Sequence, residues 1–504
     1  MDSTNTNQKS HPRGLYLLFF TETWERFSYY GMRAIFMTFM IHILMLNDAT
    51  ASNIYGSYTG LVYLTPLLGG YLSDRYLGNR KSVIIGSLIM AIGQFFLFLS
   101  ASTSGANAIT MMWAGLTFLI SGNGFFKPNI ATMVGQLYSN GDRRVDIAFT
   151  IFYMGVNLGA MISPIICGTL AEKINYRWGF LAASIGMLIG MFAFILYKRK
   201  MLVSHEGNDV GMPVKPLDIK SVIYIIGSIG LIFFFLNFQQ IFHSDLDIIN
   251  YVIYGSLIII PTIILTNKTL TSDERSRIWV LVILVFFVIF FWSAYEQAGA
   301  SLTIFADKQT DRNILGFEVP VAWFQSVNAV CILLFAPVLS AIWIKLGKRN
   351  LDPASPRKMA FGLLFLSLGF VVIAIGVHGV DSTVRISMWW LIALYFLHTI
   401  GELCLSPIGL SMASKLAPMR FSSLIMATWY LGNAAANKFA GTLSSLIPPS
   451  SDDIAKGAKI PHILGFQVTN LFDFFMIFIV MTGVASLILF LVSGRLIKMM
   501  RGIR

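Results

Sequence analysis

Charge is what this sequence has least of: Asp, Glu, Lys and Arg together make up 12% of its 504 residues, 25 acids against 37 bases. Soluble domains carry about twice that share. Together with 56% hydrophobic residues and a mean hydropathy of +0.69, this scarcity excludes a soluble fold. Cysteine is nearly as rare. Cys167, Cys331 and Cys404 sit singly in apolar stretches, with no CxxC or metal spacing, so a disulfide framework is excluded and packing is their expected role. The seven histidines form no HExxH and no paired metal spacing. GxSxG, a Ser/Lys pair and paired aspartates are missing too, which argues against an intramembrane protease or acyltransferase. No catalytic residue, no metal and no cofactor other than a coupling ion is therefore expected. Residues 1–14, with Lys9, His11 and Arg13, contain no apolar core of a signal peptide, so none is expected to be cleaved. The ten-residue alternation of a membrane β-barrel is absent as well.

What the sequence has in abundance is long apolar runs, about 20 to 30 residues each. They predict fourteen helices at 15–45, 52–77, 81–100, 108–138, 145–172, 177–197, 219–240, 247–267, 276–305, 318–346, 358–378, 385–416, 421–447 and 467–494. The fold class is thus an all-α, multi-pass membrane protein in a six, two, six arrangement. Residues 1–197 form the first six-helix bundle, 198–218 a charged, Gly/Pro-containing linker, 219–267 an inserted hairpin and 268–504 the second bundle. The net charge of +12 follows topology and does not point to nucleic acid. With the N-terminus cytoplasmic, 26 of the 37 Lys and Arg fall on the cytoplasmic side and 7 on the other, so both termini are expected inside the cell. Four basic residues remain within the membrane: Arg26, Arg33, Lys127 and Lys438.

The stretch Thr21–Arg33, TETWERFSYYGMR, concentrates these oddities. A charge at the bilayer centre costs at least about 2.5–3.5 kcal/mol, so it belongs where it faces a polar cavity or a partner. At 100° per residue, Glu22, Arg26, Tyr29 and Arg33 lie within about 60° of one another, with Glu25 and Tyr30 on the shoulders. A Glu–Arg ladder that merely stabilises the helix is one reading. The lining of a water-filled pathway for protons and an anionic group is the other.

The run GGYLSDRYLGNR from Gly69 to Arg80 resembles the loop between helices 2 and 3 of the major facilitator superfamily, and Lys345–Asn350, KLGKRN, faintly echoes it in the second half. ETWERF at Glu22–Phe27, GNGFFKPNI at Gly122–Ile130, FYMGVNLG at Phe152–Gly159, FWSAYEQAGASLTIFA at Phe291–Ala306 and GELCLSPIGLS at Gly401–Ser411 together resemble the proton-dependent oligopeptide transporter family, in its prokaryotic form. Animal members carry a histidine seven residues before the tyrosine matching Tyr63. Gly56 stands there, so a histidine-based proton step is not available. Animal members also carry a large extracellular domain where this chain has a short loop at about 379–384.

The resemblance implies a symporter that imports di- and tripeptides with protons across the cell (inner) membrane by alternating access, in the major facilitator fold, as a monomer. It implies that Glu22, Glu25 and Arg26 couple protons, and that Arg33 pairs with Glu296 across the halves. The residues themselves suit a zwitterion, which needs two opposite poles in a roomy space. Arg26, Arg33 and Lys127 offer the cationic side for a carboxylate. Glu402, in an otherwise apolar helix just before Ser406 and Pro407, offers the partner for an ammonium. Asn157 and Asn328 would hydrogen-bond the termini, while Tyr29, Tyr30, Tyr63, Trp292 and Trp429 would form adaptable walls. Pro128 is expected to bend its helix beside Lys127. His398 reads as a buried, hydrogen-bonded structural residue, the hairpin as an accessory packed beside the bundle, and Lys438 receives no role. A symporter of another small anion or zwitterion, such as nitrate, is the alternative, and a non-transporting receptor the outsider.

Overall fold

The computed structural model describes residues 10–139, 142, 144–204, 206–212, 219–242, 246–380, 384–449 and 459–502. Lys9, the linker's last stretch 213–218 and residues 381–383 of the short loop lie outside the described residues. The described chain is built on helices: α1 (Arg13–His42), α2 (Asp48–Leu72), α3 (Asn79–Ser100), α4 (Gly105–Gln136), α5 (Arg144–Lys173), α6 (Tyr176–Met201), α7 (Ile219–Phe242), α8 (Ile248–Leu265), α9 (Ser272–Tyr295), α10 (Ser301–Lys308), α11 (Phe324–Lys348), α12 (Ser355–Val377), α13 (Met388–Leu416), α14 (Ser422–Ser444) and α15 (Leu471–Met499). Helices are the expected response to a bilayer, because each satisfies its own backbone polar groups. Polar side chains mark several starts. Asn47 caps α2 at Thr50 N, 2.8 Å, and Asn470 caps α15 at Asp473 N, 2.9 Å. Thr271 and Glu274 form a capping box at α9.

Eleven helices of the described residues are long and apolar enough to cross a membrane. The chain is a multi-pass membrane protein. The helices α1, α2 and α14 are long enough but more polar, and they lie where the two bundles meet. In the first bundle α1 packs on α5 and α6, α3 on α4 and α6, and α2 on α4. In the second, α12 lies between α13 and α15, while α9 packs on α14 and α15. Two seams join the bundles, α2 against α14 and α5 against α11. The first seam is very tight, since a Cβ on Gly56 would sit 2.7 Å from Gly441 Cα. Only glycine lets the two backbones come that close.

One expectation needs correction. The apolar run 276–305 is not one helix. It stops at Tyr295, passes through a 3₁₀ turn at Glu296–Gly299 and resumes at Ser301. Side chains replace the lost helical partners there: Gln297 Nε2 donates to Ser293 O at 2.9 Å and to Ala440 O at 3.0 Å, and Thr303 Oγ1 donates to Ala298 O at 2.8 Å. Pro128 lies inside α4, which runs on to Gln136. The hairpin packs beside both bundles. Its α7 packs on α4 and its α8 on α14, so it straddles both.

The face at which α1 begins carries most of the basic residues and is called here the basic face. There α2 ends in a π turn, Ser73–Leu77, and Arg80 reaches into the linker, donating to Leu202 O at 2.5 Å and Asp209 Oδ1 at 3.0 Å. At the opposite face the bundles are clamped together. His42 pairs with Asp307 at 2.7 Å, Lys308 with Asp48 at 2.7 Å, and Ser52 Oγ meets Ser444 Oγ at 2.8 Å. Glu172 at the end of α5 accepts from Val321 N at 2.9 Å and Ala322 N at 3.2 Å, so it caps the entry to α11 from across the seam.

Candidate functional site

The face of α1 that the sequence marked out as polar is turned inward. Arg26 Nε donates to Glu22 Oε1 at 2.7 Å and lies 3.1 Å from Glu25 Oε2. Glu25 is fully buried, and Asn123 Nδ2 on α4 approaches its other oxygen at 3.4 Å. The second oxygen of Glu22 is buried with no hydrogen-bond partner among the described residues. Lys127 Nζ stands 4.4 Å above the ring of Tyr63, a cation–π contact.

About two turns further along α1, Arg33 binds Glu296 through Nη2, joining residues 263 apart in the chain. Its Nε donates to Tyr55 Oη at 2.6 Å, and its guanidinium lies 5.8 Å from the ring centre of Tyr30. The break after α9 makes this possible. A Cβ on Gly299 would fall 1.8 Å from the Tyr55 oxygen, so no larger residue leaves room for the Arg33–Tyr55–Glu296 group.

The break also splits two neighbouring residues between two tasks. Glu296 faces α1, whereas Tyr295 donates its hydroxyl to Glu402 Oε2 at 2.5 Å. Asn328 Nδ2 donates to the same oxygen at 2.9 Å and to Thr399 Oγ1 at 3.0 Å. Glu402 is thus fixed by α9 and α11 and leaves its other oxygen uncommitted to them. Tyr30 lies within electrostatic range of the cationic groups Arg26 and Arg33 and of the anionic groups Glu296 and Glu402. The carboxamide of Asn157 donates to Tyr153 O at 3.0 Å.

The walls are uneven. Tyr30, Tyr63 and Trp292 are half-buried, while Tyr29 and Trp429 are almost closed off, at 6% and 5% exposure. Ser406 is half-buried one turn beyond Glu402. Two tyrosines escaped the sequence reading: Tyr55 and Tyr295. For Tyr295 the signal was its place beside Glu296, obscured by treating the segment as one continuous helix. His398 is buried as expected, with the backbone of Leu366 in hydrogen-bonding range of its ring. Its ring packs 4.8 Å from that of Phe370. Lys438 does not reach for the membrane surface. It is buried and bonded to Asp247 and Ser57.

The model of the POT family matches residues 80–460. The chain belongs to the POT family. A POT protein is a transporter and not an enzyme. The chain is 36% identical to the uncharacterized transporter YclF of Bacillus subtilis, across 98% of this chain and 96% of that one. It is 32% identical to a di-/tripeptide transporter of Lactococcus lactis, over the full length of both. Among solved structures it is similar to a POT family transporter crystallised with 5-aminolevulinic acid, with a TM-score of 0.81 and 34% identity across 96% of this chain and 97% of that one. The groups described above come from α1, α2, α4, α5, α9 with the turn that follows it, α11, α13 and α14.

Proposed function

We propose that the protein is a proton-coupled symporter that carries di- and tripeptides into the cell by alternating access. The observation that carries this reading is a pair of opposite poles: Arg26, Arg33 and Lys127 from the first bundle, and Glu402, held by Tyr295 and Asn328, from the second, with Arg26, Arg33 and Glu402 all within electrostatic range of Tyr30. A peptide's carboxylate suits the first pole and its ammonium the second. Neither pole selects a side chain, which suits a broad range of peptides. Similarity to a di-/tripeptide transporter of Lactococcus lactis supports the substrate class.

Coupling follows from the same groups. Arg33 and Glu296 tie the bundles together, so a proton on Glu296, or a substrate carboxylate on Arg33, loosens the tie. Glu22 and Glu25, both in contact with Arg26, make a second place for a proton next to the carboxylate pole. Proton and peptide then bias one motion, which is coupling in the thermodynamic sense. A pH difference of one unit adds about 1.4 kcal/mol and 100 mV about 2.3 kcal/mol per charge, enough to concentrate a substrate about a hundredfold or more. In this reading the basic face is cytoplasmic, the membrane is the cell (inner) membrane, both termini lie inside, and the clamped opposite face makes this the inward-facing state. The unit that works is the monomer, and no cofactor beyond the proton is required.

A carrier of another small zwitterion is the second reading, favoured by the relative solved with 5-aminolevulinic acid. Nitrate fits less well, because a simple anion gains nothing from Glu402. The deciding experiment is uptake of labelled dialanine into proteoliposomes with an inward proton gradient imposed or collapsed by an uncoupler. Gradient-dependent accumulation, competed by mixed dipeptides but not by free alanine or nitrate, is expected. Competition by 5-aminolevulinic acid alone would transfer the assignment to the second reading, and uptake indifferent to the gradient would remove the coupling.

A further inference from the structure

Lys438 is 2% exposed, yet carries an ammonium in the last third of α14. An ion in that position persists only with partners. It has two, and they come from two other parts of the fold. Its Nζ donates to Asp247 Oδ2 at 2.6 Å, in the hairpin, and to Ser57 Oγ at 2.7 Å, on α2 of the first bundle. Asp247 is itself held in place, because its other oxygen caps α8 at Ile249 N, 3.2 Å, and Asn250 N, 3.4 Å. One turn into α8, Ile253 is fully buried and reaches 3.2 Å from where a Cβ of Gly60 would stand, so the hairpin touches α2 as well.

These contacts sit on the seam that has to part. Ser57 follows Gly56 and Lys438 precedes Gly441 by three residues, and Gly56 and Gly441 are where the backbones of α2 and α14 meet. If the opposite face opens, α14 leaves α2 and the Lys438–Ser57 bond breaks. An ammonium held by Asp247 at the right depth makes the closed seam cheaper. One without it is a buried, half-satisfied charge.

We propose that the hairpin is a latch on this gate: Asp247 holds the Lys438 ammonium against Ser57 and so favours the state closed at the opposite face. The inserted pair of helices thereby gains a part in the transport cycle, by setting how readily the gate opens. The inference rests on the alternating-access reading above.

The test is a distance measurement in the full-length protein in liposomes, with spin labels on Asn53→Cys and Thr442→Cys, both exposed at the seam's outer end, the three native cysteines being buried. Asp247→Asn and Ser57→Ala should each raise the ratio of long to short distances about five-fold or more. In a Lys438→Met background, Asp247→Asn should add nothing. An unchanged distribution in folded Asp247→Asn protein, or full additivity in the Lys438→Met background, would overturn the latch while leaving transport by alternating access intact. A parent protein whose distances ignore pH and dialanine alike would remove the gate at this seam, and the latch with it.

Discussion

Replacing Glu296 by Gln removes a single charge and leaves Arg33 with its guanidinium inside the protein, 7% exposed, still bonded to Tyr55 and lying against Tyr30. Breaking a buried pair from one side typically costs about 3–5 kcal/mol, since the remaining charge is stranded. The bond to Tyr55 survives, so the lower end, about 3 kcal/mol, is the expectation here. Arg33→Ala strands the carboxylate instead and also deprives the Tyr55 hydroxyl of its partner, so its loss at neutral pH should be at least as large. The two variants then part company with pH. A carboxyl can shed its charge by binding a proton, whereas a guanidinium remains charged throughout. The Arg33→Ala deficit should therefore shrink on going from pH 7.5 to pH 5.5, and the Glu296→Gln deficit should not. The double variant strands nothing, and its cost should fall short of the sum by about 2 kcal/mol or more. Chemical or thermal unfolding of the four purified proteins in detergent, at both pH values, measures all of this. Additivity within about 0.5 kcal/mol, or parallel pH profiles for the single variants, would refute the view that this pair joins the bundles.

Other outcomes follow from the same geometry. Glu402→Gln keeps an acceptor for Tyr295 and Asn328 but loses the charge, so uptake of free-amine dipeptides should fall at least tenfold while an N-acetylated analogue changes little; equal losses would remove the ammonium role. Glu25→Gln and Glu22→Gln should abolish proton-driven accumulation and spare counterflow down a peptide gradient, and normal accumulation in both would count against the coupling assignment. Two glycine substitutions should separate gate from scaffold. At Gly56 a Cβ would press on Gly441 across the seam, so Gly56→Ala should shift the protein away from the state closed at the opposite face, as read by labels at residues 53 and 442. At Gly69 it would land 2.0 Å from Gly124 O within the first bundle, so Gly69→Ala should lower the unfolding temperature by several degrees and leave the distance ratio of the surviving protein alone. The reverse pattern would show that the α2–α14 seam does not move.

Much of this molecule was legible in residue order. Glu22, Arg26 and Arg33 repeat at helical spacing in a chain otherwise poor in charge, and they turned out to face inward on α1. The pairing of Arg33 with Glu296 was reached through resemblance, not through any local pattern, and the geometry agrees with it. Tyr55 and Tyr295 could not be singled out in that way, because a tyrosine in an apolar run looks the same whether its hydroxyl meets a guanidinium, a carboxylate or nothing.

What the sequence by itself determined is set by the bilayer. A span of about 30 Å demands about 20 apolar residues, and a backbone in lipid must bond to itself, so the length and spacing of the apolar runs decide that there are helices and nearly where they begin. What only the tertiary structure decided depends on contacts between distant residues, for which the apolar period carries no information. The backbone breaks at Glu296–Gly299, so that Tyr295 and Glu296, adjacent in the chain, serve opposite poles. Gly56 and Gly441 let two backbones touch, and that contact brings Ser57 within reach of Lys438. The hairpin could have been packed anywhere on the surface of the bundles. It lies across their seam, where Asp247, at the cap of α8, meets the ammonium of Lys438.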